Sequence, residues 1–245
     1  DLAIQDYNRA LEIKPDYPYA LANRGNARFK NGDMDGALQD LTLAAKHGRR
    51  DSVIYTSLGM VLKEKGNFEE AIKSLNRAIA INKKNVRAYQ TLGEVYEGQK
   101  KLLKALDAYR QVLHLSKNQD ETVEAEKKIA HLQKAAADEL YAEGLSKYRE
   151  GNEKQAITLW TQALKILPGH PEALRDRGLT YYKAGKFKKA MEDFDTALQK
   201  NTNNSEIYRV RADTHFKMKE MDEAVSDYTR ALEFDPKDAV AYNNR

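Results

Sequence analysis

A glycine recurs in this 245-residue chain at a fixed interval of 34 residues. The interval holds over two successive steps, is interrupted once by a step of 51 residues, and then resumes. Self-similarity at a period of about 20–50 residues is typical of solenoids and related arrays. We therefore expect stacked copies of one small unit. The column consists of Gly25, Gly59, Gly93, Gly144 and Gly178, with Ala212 in the next place.

Other columns keep a constant distance from the glycine column. An alanine follows it by 12 residues, a large apolar or aromatic residue by 16, and in most copies a second alanine by 19. Helices approach each other closely only where side chains are small, so the pattern predicts paired helices in which glycine faces a bulky residue. The bulky column consists of Tyr7, Leu41, Leu75, Tyr109, Trp160, Phe194 and Tyr228.

Within each copy the apolar residues are spaced as on one face of a helix. Phe68, Ala71, Ile72 and Leu75 follow this spacing, and no segment reads as a strand. A second glycine column lies between the two helical patterns of a copy, where a left-handed turn suits glycine. Each copy is therefore predicted to be a helix-turn-helix unit, with its turn at Gly32, Gly66, Gly151 or Gly185 where that glycine is present.

Taken together, these columns resemble the tetratricopeptide repeat family. The second copy carries the motif from Leu58-Gly59 through Gly66-Asn67-Phe68 to Ala71, Leu75 and Ala78. The terminal proline of the motif is present only at Pro15, Pro168 and Pro236. The resemblance covers nearly the whole chain. It implies an all-α, right-handed superhelical solenoid of 34-residue helix-turn-helix repeats that binds other proteins.

The register of the columns divides the chain into two blocks. Both ends fall inside a copy and the chain begins at Asp1 rather than Met, so we expect a fragment with further repeats of the same chain at both ends. The first block is 1–119, with a partial copy 1–17 and copies 18–51, 52–85 and 86–119. After the insertion 120–136, the second block is 137–245, with copies 137–170, 171–204 and 205–238 and a partial copy 239–245.

The insertion 120–136 contains neither glycine nor proline and is rich in strong helix formers. Two interpretations remain open. It is either an amphipathic helix that closes the first block or a lengthened helix that runs on into the first helix of the second block, and we favour the latter.

Composition and motifs argue against catalysis, metal binding and membrane insertion. The chain has no cysteine, a net charge of only +4 and no apolar run of the roughly 18 residues that a membrane span needs, so we expect no membrane insertion. The five histidines form no metal-ligand pattern, and phosphate-binding or nucleophile motifs are missing. We therefore expect a non-enzymatic protein without cofactor or metal. Its expected location is the cytoplasm, either in the cytosol or on a cytoskeletal or ciliary structure.

Register also predicts which side chains line the groove formed by the first helices. In the second block, aromatic residues recur four places after the glycine column, and cations recur three places before it and five places after it. We expect these residues to hold an acidic, extended or helical segment, unless the aromatics only pack between helices and the cations are merely solvated. The candidates are Tyr141, Tyr148, Arg149, Arg175, Tyr182, Lys183, Arg209, Phe216 and Lys217.

Copies 18–119 carry 18 basic and 10 acidic residues, and the basic residues cluster near turns. An acidic or phosphate-rich surface is one possible partner for this basic edge. Nucleic acid is not favoured, because the sequence shows no aromatic residues interleaved with the cluster. The edge consists of Arg49, Arg50, Lys83, Lys84, Arg87, Lys100, Lys101 and Lys104.

The sequence thus favours a non-catalytic scaffold or adaptor that binds a peptide segment or partner helix in its groove. The alternatives are a co-chaperone and a structural component of a large assembly such as a ciliary axoneme. In related co-chaperones a carboxylate clamp of Lys, Asn and Arg binds acidic C-termini. The corresponding places in copies 137–238 hold Tyr141, Leu145, Asp176, Glu206 and Val210, so the co-chaperone alternative is one without the clamp.

Overall fold

The computed structural model describes residues 2–245, and the secondary structure of this stretch is entirely helical. Each 34-residue copy supplies two antiparallel helices, as the columns predicted, and consecutive helices pack side by side. The fourteen helices found in these residues are α1 Leu2–Ile13, α2 Pro18–Lys30, α3 Met34–His47, α4 Ser52–Glu64, α5 Phe68–Ile81, α6 Val86–Gly98, α7 Leu102–Leu115, α8 Gln119–Arg149, α9 Glu153–Ile166, α10 Pro171–Lys183, α11 Phe187–Lys200, α12 Ser205–Met218, α13 Met221–Phe234 and α14 Ala239–Asn244.

The glycine column marks the crossing of the two helices in each hairpin. A Cβ atom placed on Gly59 would lie 2.6 Å from Leu75 Cγ, and one on Gly178 would lie 2.6 Å from Phe194 Cε1. Both distances are too short for real atoms, so the bulky side chain occupies the space that glycine leaves. This close contact confirms the prediction that small and large residues meet across each hairpin.

The turn within a hairpin uses a left-handed residue. Gly32, Gly66, Gly151 and Gly185 have φ values between 70° and 84°. In the third and sixth copies, Lys100 and Lys219 take this conformation at φ 56° and 67°. The helical hairpin therefore imposes the turn even where no glycine is present, at a local cost of about 1–2 kcal/mol.

The chain forms two compact units, the first ending at Leu132 and the second running from Gln133 to Arg245. In the first unit the core is built around residues such as Leu41, Ile54 and Leu75, each 0–2% exposed. In the second it is built around Trp160 and Phe194, which are 1% and 0% exposed. Each core lies between the two layers of helices of its own unit.

Residues 120–136 lie within α8, which continues without a break to Arg149. The insertion and the first helix of the fourth copy are thus one helix of 31 residues. The boundary between the two compact units falls inside it. Across residues 2–245, no helix combines the length and the apolar character needed to cross a membrane.

Candidate binding site

The predicted groove residues of the second unit lie on its first helices, namely the end of α8, α10 and α12. We call this surface the first-helix face. The cations on it fall into two rows: an arginine row, Arg175 and Arg209, and a cationic row, Arg149, Lys183 and Lys217. The first row lies three places before the glycine column and the second lies five places after it. The two rows have different surroundings.

The arginine row is neutralised by carboxylates. Arg175 Nε lies 2.8 Å from Asp176 Oδ1, and its Nη1 lies 3.9 Å from Glu206. Arg209 Nε lies 3.1 Å from Asp238 Oδ2, and its Nη1 lies 3.8 Å from Asp213. The two arginines are only 33% and 26% exposed. They join neighbouring helices, and their charge is already balanced.

The cationic row differs from the arginine row in its charge balance. Among the described residues, neither Arg149, Lys183 nor Lys217 forms an ion pair, and all three are exposed. Lys183 Nζ donates to Tyr148 Oη at 2.8 Å and lies 5.5 Å from the centre of that ring. This hydrogen bond raises the pKa of Lys183 and leaves its positive charge in place.

The aromatic residues beside the cationic row are partly exposed. The Tyr148 ring packs against Trp160 with a centroid distance of 5.8 Å, and the Tyr182 ring lies 5.8 Å from Phe187. Phe216 is 49% exposed. The first two rings thus pack against their own hairpins, while about half of the surface of Phe216 is exposed to solvent.

Two cavities open beside these rings. One, of about 430 Å³, is lined by Tyr182, Phe216 and Lys217 together with Asp213, Tyr228 and the two asparagines at 243 and 244. The other, of about 260 Å³, lies between Tyr148, Trp160 and Lys183. Each cavity therefore combines an aromatic wall with a residue of the cationic row.

Tyr141 has a structural role on this face. Its hydroxyl group donates to Asp176 Oδ2 at 2.9 Å, and its carbonyl oxygen accepts from Trp160 Nε1 at 3.3 Å. The ring lies 5.2 Å from that of the buried His170. Burial raises the pKa of Tyr141 to about 12, and the hydrogen bond to Asp176 acts in the same direction. Tyr141 thus fixes α8 against α9 and α10.

Sequence reasoning missed a repeated arginine–aspartate fork. Arg177 binds both carboxylate oxygens of Asp193 at 2.9 and 2.6 Å, and Arg211 binds Asp227 at 2.7 Å on both arms. Burial raises the pKa of Asp193, and the Arg177 hydrogen bonds oppose that rise. The remaining guanidinium nitrogen, Nη1, donates to the second helix of the preceding copy. Arg177 donates there to Thr161, and Arg211 donates to Asp195.

The fork had a visible signal in the sequence. Arginine precedes the glycine column and aspartate follows it by 15 places in the same three copies, the first, fifth and sixth. In the first copy the pair is Arg24 and Asp40, bonded at 2.8 and 2.7 Å. Where arginine is replaced by Leu58 or Leu92, the partner position holds Ser74 or Ala108.

The predicted basic edge falls at two opposite ends of the hairpins. Its members at 49, 50, 83, 84 and 87 lie at turns between copies, whereas those at 100, 101 and 104 lie at the turn within the third copy. The 13-residue helix α6 separates the two groups, a length of roughly 20 Å. All eight side chains are exposed. The structure therefore does not bring them together as one surface.

Sequence profiles of known families match most of the chain. Two profiles described as "Tetratricopeptide repeat" match residues 148–215 and residues 86–119 and 205–238, and one described as "TPR repeat" matches 1–32 and 59–100. Together they reach from residue 1 to residue 238, with gaps at 33–58 and 120–147.

Two curated relatives carry the same repeat. The small glutamine-rich tetratricopeptide repeat-containing protein 2 of Mycosarcoma maydis is 29% identical over 83 residues, which is 34% of this chain and 24% of that protein. Tetratricopeptide repeat protein 36 of Mus musculus is 30% identical over 80 residues, which is 31% of this chain and 43% of that protein. The chain thus matches less than half the length of each of these relatives.

Among solved structures, the TPR domain of P58(IPK) aligns with 97% of this chain and 63% of its own, at 20% identity and a TM-score of 0.47.

Proposed function

Because the chain belongs to the tetratricopeptide repeat family, we propose that it is a non-catalytic protein-interaction module. Its second unit holds a peptide segment or partner helix against the first-helix face. The observation that carries this proposal is the difference between the two rows of cations. The arginine row is balanced by carboxylates within the fold, whereas the cationic row remains available to a ligand.

The charge of the cationic row selects the ligand. Arg149, Lys183 and Lys217 occupy one repeat position, so they present positive charge at intervals of one copy. Complementary charge raises the association rate and fixes the register of a bound chain. We therefore assign the recognition of acidic side chains to this row alone, and not to Arg175 and Arg209, which the sequence placed in the same set of candidates.

The adjoining cavities supply contact area. The larger one, about 430 Å³, has the half-exposed ring of Phe216 and the ring of Tyr182 in its wall. Aromatic side chains in such pockets contribute strongly to the affinity of protein interfaces. A ligand that alternates acidic residues with apolar ones would place charge on Lys217 and an apolar side chain between the rings.

Two carboxylates of this face, Asp176 and Asp213, are held by contacts within the fold, which supports a non-catalytic role. Asp176 accepts from Tyr141 and pairs with Arg175. Asp213 accepts from Tyr228 at 2.5 Å and from Asn244 at 3.2 Å. Neither carboxylate stands beside an activated nucleophile, the arrangement that general-base catalysis needs.

A charge-reversal experiment tests the assignment. The probe is a fluorescein-labelled peptide of twelve residues that alternates glutamate pairs with single leucines, titrated with the full chain at low salt. We expect Lys183→Glu/Lys217→Glu to weaken binding at least about tenfold, because two favourable charge contacts become repulsive.

The control is Arg175→Gln/Asp176→Asn/Arg209→Gln/Asp238→Asn, which removes the arginine row together with the carboxylate nearest to each arginine. We expect this control to change the Kd less than about threefold, because it removes equal numbers of positive and negative charges and leaves the net charge of the face unchanged. Circular dichroism melts of both variants check the fold. A larger loss in the arginine-row variant than in the cationic-row variant, or no binding of the peptide to the unaltered chain, would reject the proposal.

A further inference from the structure

A second candidate site lies in the first unit, at the turn between its first two complete copies. The α3–α4 turn meets the start of α2 there, and Tyr19, His47, Arg49 and Arg50 line a cavity of about 490 Å³. None of these residues belongs to the first-helix face of the second unit. The inference drawn from this cavity therefore does not rest on the function proposed above.

Close packing beneath the turn directs the basic side chains outward. A Cβ atom on Gly48 would lie 2.6 Å from Ile54 Cδ1 and 3.2 Å from Pro18 Cβ. The turn backbone thus rests directly on α2 and α4, with no room for a side chain beneath it. Arg49 and Arg50, which follow this glycine, are both exposed.

The positive charges around the cavity are not neutralised. Arg49 Nε donates to the carbonyl oxygen of Lys46 at 3.2 Å, which orients the guanidinium group without removing its charge. In the first unit as described, neither Arg49 nor Arg50 forms an ion pair. Asp51 is also in the wall, and its carboxylate accepts from the backbone N–H groups of Val53 and Ile54 at the start of α4.

A third guanidinium group lies next to the turn. Arg77 Nη2 donates to the carbonyl oxygen of Arg49 at 3.4 Å. This contact brings α5 against the turn and adds positive charge beside the cavity. The turn thus combines three arginines from two different copies with one histidine.

Exposed aromatic rings complete the site. Tyr19 is 57% exposed and lies 5.9 Å from Tyr17 in an edge-to-face arrangement. Lys14 Nζ lies 5.2 Å from the centre of the Tyr17 ring. About thirty residues separate Tyr19 from Arg49 and Arg50 in the sequence. The aromatic neighbours of this part of the basic edge therefore became visible only in the fold.

We propose that this cavity binds a phosphate monoester carried by a side chain of a partner protein. The planar guanidinium groups of Arg49 and Arg50 would bind the phosphate oxygens in bidentate fashion, and the Tyr19 ring would pack against the attached side chain. A phosphorylated side chain carries a charge of about −1.5 to −2 at neutral pH, which matches an uncompensated pair of arginines.

The arrangement favours one phosphate over a strand of nucleotides. Single-stranded nucleic acid binds along a groove with aromatic rings for successive bases. At the next turn between copies the cations are Lys83 and Lys84, and the nearby Tyr89 is partly buried. Within the first unit as described, exposed tyrosine rings occur only at Tyr17 and Tyr19.

The test uses the full chain and three labelled probes. These are a nine-residue glycine–serine peptide with one central phosphotyrosine, the same peptide without the phosphate, and a twelve-nucleotide oligouridylate. Fluorescence anisotropy at physiological salt gives each Kd. We expect the phosphopeptide to bind at least about tenfold more tightly than its unphosphorylated form. Arg49→Glu/Arg50→Glu should abolish that difference.

Two control variants distinguish specific phosphate binding at this turn from non-specific electrostatic attraction. Lys83→Glu/Lys84→Glu makes the same charge change at the next turn and should weaken phosphopeptide binding less than about threefold. Arg49→Lys/Arg50→Lys keeps the charge and should still lose most of the preference, because lysine has no planar fork. Melting curves confirm that the variants remain folded.

Three results would overturn the proposal. The first is equal binding of the phosphorylated and unphosphorylated peptides. The second is an equal loss in the two charge-reversal variants, which would indicate a diffuse field. The third is tighter binding of the oligouridylate than of the phosphopeptide with the same dependence on Arg49 and Arg50, which would assign the turn to nucleic acid.

Discussion

Two regions of the chain have the same helical hairpin but differ in the residues next to its glycine contact. The regions are the second and third copies, residues 52–119, and the fifth and sixth copies, residues 171–238. Beside the glycine, Leu58 and Leu92 are 8% and 6% exposed, and the repeat position of the aspartate holds Ser74 and Ala108. The equivalent places in the later copies hold the arginine–aspartate forks of Arg177 and Arg211. All four copies therefore require the glycine contact, whereas the position next to it holds either apolar residues or an ion pair.

The two regions also differ in the charge of their exposed residues. Five places after the glycine column, the later copies have Lys183 and Lys217, whereas the earlier ones have Glu64 and Gly98. Glu64 is paired with Lys63 at 2.9 Å. Positions that the fold leaves free thus distinguish the two regions, and these are the positions to which we assign binding.

The largest expected effect comes from breaking one fork. Arg177→Leu leaves Asp193, whose side chain is 5% exposed, without its partner, and should destabilise the second unit by about 3–5 kcal/mol. Trp160, the one tryptophan of the chain, lies in the core of that unit, so its fluorescence in a urea titration reports the loss.

The double variant Arg177→Leu/Asp193→Ser sharpens the comparison, because it installs the pair found in the second copy. We expect it to recover most of the stability, since replacing both members of a buried ion pair by packed residues is often nearly neutral. A double variant as unstable as Arg177→Leu alone would show that the two pairs are not interchangeable.

A smaller effect is expected at the shared contact. Gly178→Ala places a methyl group 2.6 Å from Phe194 Cε1 and should cost about 1–3 kcal/mol in a urea titration followed by Trp160 fluorescence. The control is Gly98→Ala, where the nearest atom, Phe68 Cζ, lies at 3.4 Å. Gly98 lies in the first unit, so both variants are also followed by the helical circular dichroism signal, which reports on both units. We expect the control to be neutral within about 0.5 kcal/mol, and equal losses in both variants would contradict the packing argument.

The smallest effect concerns alkaline pH. The folded state raises the pKa of Tyr141 to about 12, above its ordinary value near 10. The neutral phenol therefore stabilises the fold below pH 10, and this contribution is lost as the pH rises from 10 to 12. In urea titrations at pH 8 and pH 11, Tyr141→Phe should lower the alkaline loss by about 1 kcal/mol or less, because the ring is partly exposed. An identical pH dependence in both proteins would argue against this role.

Much of the fold followed from the sequence, because the residues that force two helices together recur at fixed spacing. Gly59 facing Leu75 and Gly178 facing Phe194 were predicted from column positions alone. The left-handed turns at Lys100 and Lys219 were not, since local preference there disfavours the conformation that the hairpin imposes.

The candidate sites were less predictable, because pairing between side chains depends on long-range geometry. Register placed Arg175 and Lys183 on the same face, but it could not show that Asp176 and Glu206 neutralise only the first. It likewise could not place Tyr19 beside Arg50. The fork could have been predicted, since arginine and aspartate occur together at the repeat positions of Arg177 and Asp193 in three copies.

The central claim is that place within the repeat decides which residues meet a partner, and NMR mapping of the isotope-labelled full chain tests it most directly. On addition of the glutamate–leucine peptide, the account predicts that the largest amide shifts fall at residues 145–149, 179–183 and 213–217. Shifts concentrated instead on the second helices α9, α11 and α13 would contradict it.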